Sequence, residues 1–501
     1  MAATFQIAAS VTAGNSVSAR RVPWIALALI VALAALVRAV PLTYSHFWDE
    51  TVFLQHARVI LDGRTNYQEF FHRPPLLSVL YALGFALWDN IYVANIVQAI
   101  VTTLAVLFAF LYVRGAFGVV SGIAAAFLFA FTPYLVETSH ELLTDMPAVA
   151  FMLAAMWLFD KPGPRFAILA GATYALAIQT RFTSLFLIVY FVLDASLSLK
   201  KLRQLVILLV AAGITIAPYL IWVRWNYGSV LFPFVLARRI VTEWTAPVPA
   251  RFYFDAVLEI FPPSLWLFFA LGLCSPVTRW GSRYRSEGET VPAENPGLSS
   301  QTKRQLVLLM WGLLFFAYML TIGHKEIRYL LPLAIPVVIV SALSVTALFR
   351  WIARQAKPVW VAGVLLGVAV AVADYASPFQ KLRNPWSDRS ESEEVQIAGY
   401  LREHSTPADT IYAAHNFPVL AFYSGRKTVS LLPIQAEFEQ VWRRAMAQPG
   451  FLVYYPPAGI KETHSKDPHF MPDQQFIDAS PEFGLVRSFP SATVYYYEPG
   501  R

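Results

Sequence analysis

Long apolar runs recur along the chain as far as about residue 375 and then stop. They fall at roughly 23 to 40, 91 to 113, 117 to 133, 146 to 159, 166 to 179, 182 to 197, 204 to 222, 256 to 275, 305 to 322, 329 to 349 and 358 to 375. Several approach the about 20 residues that a helix needs to cross about 30 Å of hydrocarbon, so the pattern predicts about eleven membrane-spanning helices. A further run, PPLLSVLYALGFALW at 74 to 88, is shorter and opens on two prolines. It predicts an interfacial or re-entrant helix rather than a crossing.

The pattern changes near Ser387. EEVQIAGYLREHSTPADTIYAAH reads as a helix with polar faces, a turn carrying Pro407 and Asp409, and a short strand. RKTVSL, GFLVYY and SATVYYYE are further strand candidates, and EFEQVWRRAMAQ is a helical run between them. The predicted organisation is an N-terminal segment at 1–22, an all-α polytopic membrane domain at 23–375 and a small α/β soluble domain at 376–501. A cap or scaffold role is the favoured one for the last domain, ahead of acceptor recognition.

Composition agrees with the pattern: 57% of residues are hydrophobic, 14% are charged, and the mean hydropathy is +0.50. The single cysteine, Cys274, excludes an internal disulfide framework and a Cys-based zinc cluster. The net charge of +7 is spread over short connections and forms no basic stripe, which argues against a nucleic-acid partner.

Those basic connections also predict sidedness. If the run at 74 to 88 does not cross and the N-terminus is cytoplasmic, then ARR before the first run, Arg114, KPGPR, KKLR, RWGSRYR and RWIARQAK all face the cytoplasm. Arg238 and Arg239 are exceptions in a long outer connection, where the rule is weak. The first run ends at Arg38 without a small-residue cleavage site, so it is expected to be an uncleaved span. The expected location is the cytoplasmic membrane, with the C-terminal domain extracytoplasmic.

This topology brings SHFWDE, EFFHRPP, ETSHELLTDMP, QTRF and GHKEIRY to one surface. Charges beside hydrocarbon are costly and mark sites. Asp49 and Glu50 can start the helix ETVFLQHARVILDG, where acids favour the N-terminus, and can equally supply a general base or a ligand for a hard cation. Glu137, Glu141 and Asp145 recur every four residues and would share one face of a helix. Asp145 is also placed to cap the next one. Arg73, Arg181, His324, Lys325 and Arg328 are the cations, arginine offering a planar fork to phosphate oxygens and lysine a point charge. His46, His56 and His72 match no zinc spacing. No metal ligands are assigned, a divalent cation being the one cofactor left open, and no phosphate-cradling Gly-rich loop points to a nucleotide.

Taken together, a first span followed by DE, then HRPP, then LLTDMP before a span, and finally HKEIRYLLPLAIP, resemble the GT-C membrane glycosyltransferases over most of residues 23 to 375. HKEIRYLLP is similar to the signature of lipid-linked mannosyltransferases. HRPPL and LTDMP are closer to the aminoarabinose transferase and protein mannosyltransferase branch. The resemblance implies a polyprenyl-phosphate-linked sugar donor used outside the cytoplasmic membrane. It assigns the catalytic acid to Asp49, the second acidic position to Asp145, and donor-phosphate contacts to Arg73, Arg328 and Tyr329; the need for cations at a leaving phosphate adds Arg181 and Lys325 to that set. Glu50 is a supporting acid, and His72, His324 and Glu141 are further site candidates. Where the aminoarabinose branch has an acid before its phosphate-binding lysine, this chain has His72 before Arg73. The predicted reaction is a single inverting displacement on an acceptor hydroxyl, the acceptor being a lipid, a glycan or a protein. A transporter of an anionic or lipid-linked substrate also fits many spans with membrane-level charge, but no internal repeat is evident and a soluble domain is appended. A noncatalytic polysaccharide-assembly component is a third reading.

Overall fold

Helices occupy the apolar runs. The computed structural model describes residues 23–40, 48–63, 73–242, 248–274, 299–352, 357–380, 382, 392–413, 416–431, 446–456 and 474–500. Among the described residues, four helical stretches are long and apolar enough to cross a membrane: Ile91–Phe117, Leu199–Tyr227, Ser300–Leu320 and Ile327–Ile352. Shorter apolar helices fill other expected runs, including Pro23–Ala39 (α1), Asp145–Phe159 and Phe182–Ala195. The run at 74 to 88 forms a helix over Leu76–Leu87, about 18 Å long at 1.5 Å per residue and well short of a crossing.

One expected run is divided. The stretch read as a single span at 256 to 275 is two helices, Arg251–Ile260 and Pro263–Cys274, bent by 104° at the break. Pro262 and Pro263 each lack an N–H and bias the residue before them away from helix, so the ladder stops there. The run at 117 to 133 is the helix Val119–Phe131 (α5), and a further short helix not among the expected runs, Pro133–His140 (α6), follows it at a bend of 55°.

The described chain forms two compact units. The first comprises Met1–Pro41, Gln98–His140 and Thr144–Pro385. Its core is one continuous apolar cluster including Phe110, Phe129, Met152, Phe191, Trp311 and Phe315. Within it Asp145–Phe159 (α7) and Pro164–Thr180 (α8) form an antiparallel hairpin. The four-residue connection between them contains Gly163 at φ 104°, a conformation natural to glycine. A Cβ on Gly171 of α8 would lie 2.2 Å from the Leu208 carbonyl oxygen, so only glycine lets α8 approach the helix Leu199–Tyr227 (α10) this closely. The guanidinium of Arg38, 2% exposed, donates to the carbonyls of Phe129 and Ala130 at 2.9 Å each and so caps the end of α5 at the bend.

The second unit comprises Leu42–Val97, Glu141–Leu143 and Trp386–Arg501. It holds a five-stranded sheet of order β2-β1-β3-β5-β4, with β1 Thr410–Ala413, β2 Lys427–Ser430, β3 Gly450–Tyr454, β4 Phe483–Ser488 and β5 Thr493–Tyr497. β1 runs parallel to β2 and β3, and β5 runs antiparallel to β3 and β4. The four strands expected from sequence are β1, β2, β3 and β5. β4 was not anticipated. The helical run expected over 437–448 lies mostly outside the described residues. In the same unit Trp48–Asp62 (α2) buries Phe53, Leu54 and Ala57 with Leu77, Tyr81 and Phe85 of the helix Leu76–Leu87 (α3). Trp48 meets Phe417 edge to face at 4.7 Å.

Candidate functional site

In the second unit, Asp49 and Glu50 lie in the first turn of α2, the position where acids oppose the unsatisfied amide end of a helix. Their side chains then do different things. Arg73 donates to the Asp49 carboxylate, and the guanidinium stands 5.4 Å from the Phe53 ring. Glu50 is buried and accepts the backbone N–H of Leu142 at 2.9 Å, which ties the start of α2 to residues 141–143 of the same unit. Arg73, expected to meet a donor phosphate, is engaged with the catalytic candidate itself. One turn on, burial and the Arg73 charge push the His56 imidazole down to about 3, so it is neutral throughout the physiological range. Glu141 is half-buried, and His46 and His72 lie outside the described residues.

The first unit holds the other candidates, and the α7–α8 hairpin explains why two of them meet. α7 rises 15 residues from Asp145 and α8 returns over 17, so the residues at its open end are brought level. Arg181, the extended residue that ends α8, forms an ion pair with Asp145 at 2.9 Å and donates to the Thr144 hydroxyl at 3.3 Å. Asp145 is 3% exposed. A buried carboxylate in this position requires its cation, since removing one partner of such a pair costs about 3–5 kcal/mol. Asp145 is not the cap expected for α7: Thr144 holds that position and Asp145 is the first helical residue. Nor do Glu137, Glu141 and Asp145 share a helix face, because α6 ends at His140 and residues 141–144 bend away from helix.

HKEIRY is organised around its acid. Glu326 Oε1 accepts from His324 Nε2 and from the Tyr329 hydroxyl, both at 2.9 Å, and Oε2 accepts from Arg328 Nε at 2.5 Å. Burial alone would raise the Glu326 carboxyl, but Arg328 and His324 outweigh burial and hold it below the ordinary carboxylate range. Lys325 turns the other way, donating to the Ile322 carbonyl with its ammonium 5.8 Å from the Tyr253 ring. The Tyr329 ring in turn lies 4.8 Å from the Arg181 guanidinium, a cation–π contact that joins this stretch to the hairpin end. The structure therefore gathers Asp145, Arg181, His324, Lys325, Arg328 and Tyr329 in one unit, and Asp49, Glu50 and Arg73 in the other. Glu326 was missed as a site residue. Its signal was its place two residues from each of two cations in a segment bounded by apolar runs.

Among the described residues no cluster of three or more His, Cys, Asp or Glu side chains is placed to hold a metal ion. What the first-unit group offers is charge. Two carboxylates, Asp145 and Glu326, stand with Arg181, Lys325 and Arg328, leaving one formal positive charge before His324 is counted. Such a group suits an anion whose charge grows during a reaction.

Residues 72–222 match the family model of dolichyl-phosphate-mannose-protein mannosyltransferases. That stretch includes Arg73, Glu141, Asp145 and Arg181. No curated protein matches the chain by sequence. A crystal structure of ArnT from Cupriavidus metallidurans bound to undecaprenyl phosphate superposes with a TM-score of 0.63 at 15% identity, over 95% of this chain and 98% of that one. The oligosaccharyltransferase AglB from Archaeoglobus fulgidus, in complex with an inhibitory peptide and a dolichol-phosphate, gives 0.61 at 12% identity over 87% and 69%. The mycobacterial arabinofuranosyltransferase AftD gives 0.55 at 14% over 95% and 41%. The fold is thus that of the GT-C glycosyltransferases.

Proposed function

We propose that this chain, having the GT-C fold, is a membrane glycosyltransferase that moves a sugar from a polyprenyl-phosphate donor to an acceptor hydroxyl. In this reading about eleven helices cross the cytoplasmic membrane, the N-terminus is cytoplasmic, and transfer occurs on the outer face. The observation that carries it is the cation surplus around Arg181 and Arg328 at the open end of the α7–α8 hairpin. A polyprenyl-phosphate sugar is a phosphodiester with one negative charge. When the acceptor oxygen attacks the anomeric carbon, the carbon–oxygen bond to phosphate breaks and the leaving phosphate gains a second charge. Fixed cations lower the energy of that charge more than that of the starting diester. Arg181, Lys325 and Arg328, with Tyr329 beside them, are assigned to the phosphate.

The acceptor hydroxyl must lose its proton as it bonds to carbon. Asp49 is assigned as the base, attack from the face opposite the phosphate inverting the anomeric centre. Arg73 would then hold and orient the Asp49 carboxylate, Glu50 would support α2 through Leu142, and Asp145 would fix Arg181. The test is purified protein in vesicles containing membrane-extracted polyprenyl-phosphate sugars, with released polyprenyl phosphate measured by mass spectrometry. Asp49→Asn is expected to lower release by about 100-fold or more with the melting temperature preserved. Undiminished release by this variant removes Asp49 from the mechanism. Uptake of label into vesicles without release of lipid phosphate would favour the transporter reading.

A further inference from the structure

The proposed function gives no part to the acid at the centre of HKEIRY. A carboxylate near a phosphate site opposes phosphate binding by direct repulsion, so its presence calls for a compensating effect. The geometry supplies one. Glu326 has extended backbone, φ −130° and ψ 146°, immediately before the 3-10 turn Ile327–Leu333, and its carbonyl accepts the Tyr329 N–H at 3.1 Å. That conformation returns its side chain over the turn it precedes, where the two oxygens take three donors from His324, Arg328 and Tyr329. The bond to Arg328 is made at Nε, the edge of the guanidinium nearest the chain, and it fixes the plane of the group. The bond to the Tyr329 hydroxyl holds the ring whose face lies against Arg181, and Arg181 is itself ion-paired with Asp145.

We infer that Glu326 is a positioning residue that orients two arginines at once, Arg328 directly through Nε and Arg181 through the Tyr329 ring. One carboxylate thereby registers a cation from the 3-10 turn against a cation from the end of α8, although the two come from segments far apart in sequence. The inference rests on the reading of both arginines as phosphate-binding. It differs from a simple neutralising role, in which any acid nearby would serve and Tyr329 would contribute only its packing.

The test uses the full chain in lipid nanodiscs with undecaprenyl phosphate as the probe. Glu326→Gln is expected to weaken binding about tenfold, since a neutral amide accepts the guanidinium Nε–H poorly and cannot take all three donors. Tyr329→Phe, which keeps the ring and loses the hydroxyl, is expected to weaken it about threefold. The double variant should bind no more weakly than Glu326→Gln alone if the hydroxyl acts on binding through Glu326. Glu326→Asp, with its charge retained on a shorter stem, should fall between the wild type and Glu326→Gln. Wild-type affinity in Glu326→Gln, or full multiplication of the two single effects, overturns the inference. If the wild type itself does not bind the probe, the phosphate reading fails, and the positioning is decided by the 15N–1H signal of Arg328 Nε, assigned by its loss in Arg328→Lys. That signal must shift in Glu326→Gln; an unmoved signal overturns the inference by itself.

Discussion

The two ends of the α7–α8 hairpin both carry charge, and they carry it differently. At the closed end Asp160 accepts from Arg304 at 2.5 Å and from Lys201 at 3.2 Å, and Lys201 also pairs with Asp194, whose side chain is 2% exposed. Two acids meet two cations. Four segments are joined there: the end of α7, the end of Leu187–Ala195, the start of α10 and the start of Ser300–Leu320. At the open end the cations exceed the acids, and Tyr329 lies among them. The same hairpin therefore ends on one side in a cluster whose own acids and cations balance, beside the further bases of KPGPR and KKLR, and on the other in a group with one cation in excess. A cluster already neutral gains little from a further ion, whereas an anion lowers the energy of a group with a cation in excess, which is why the proposed function puts the phosphate at the open end.

The largest expected effect breaks the staple. Lys201→Met would leave Asp160 and Asp194 sharing one remaining cation, and a stability loss of about 3–5 kcal/mol is expected, read as a lower melting temperature in detergent. Adding Asp194→Asn should restore a substantial part of it; no recovery would show that the lysine acts by packing instead of charge. At the open end the order is reversed. Arg328→Lys is expected to weaken polyprenyl-phosphate binding about tenfold because an ammonium cannot replace the planar fork, with the melting temperature held within a few degrees. A large melting shift and unchanged binding would make this end a staple too.

Smaller effects sharpen the same contrast. Raising ionic strength from about 0.05 M to about 0.5 M should weaken phosphate-lipid binding several-fold and leave the melting temperature nearly constant, since the field at the open end reaches a ligand through a screened medium. The smallest effect concerns pH. The Glu326 carboxyl is depressed, so its stabilising contribution is present above the ordinary carboxylate range and is lost only as pH falls through the lower folded value. The melting difference between wild type and Glu326→Gln should therefore stay flat from pH 8 to about pH 5 and shrink only below that. A difference that declines already between pH 7 and pH 5 contradicts the assigned ionisation.

How far these ends were legible in the sequence differs in the same way. The hairpin itself was readable, because two apolar runs separated by KPGPR leave only an antiparallel return, and that return pairs the residue before the first run with the residue after the second. By this route Asp145 and Arg181 were expected on one surface, though not as the pair they form. The Glu326 hub was not readable by sorting residues by charge, since an acid among cations looks like local neutralisation until the extended backbone at 326 directs it. Nor did charge counting show the staple, whose members come from four separate segments. The 104° bend after Ile260 had a visible cause in Pro262 and Pro263, which hydropathy averaged over the run conceals. β4 was hidden for another reason: after Phe483 this edge strand is exposed on both faces, so no buried side imposes an alternating pattern on its sequence.

Arg38 has a consequence in time. Its guanidinium ends on the carbonyl of Ala130, 92 residues later in the chain. When α1 first leaves the ribosome that acceptor has not been made, so the first helix carries a cation without its final partner through the synthesis of every residue up to α5. Charge in an apolar segment is tolerated meanwhile by reaching toward water at the helix end. The contacts that bury the arginine need α5, so α1 cannot reach its final state before the carbonyls of Phe129 and Ala130 are in place.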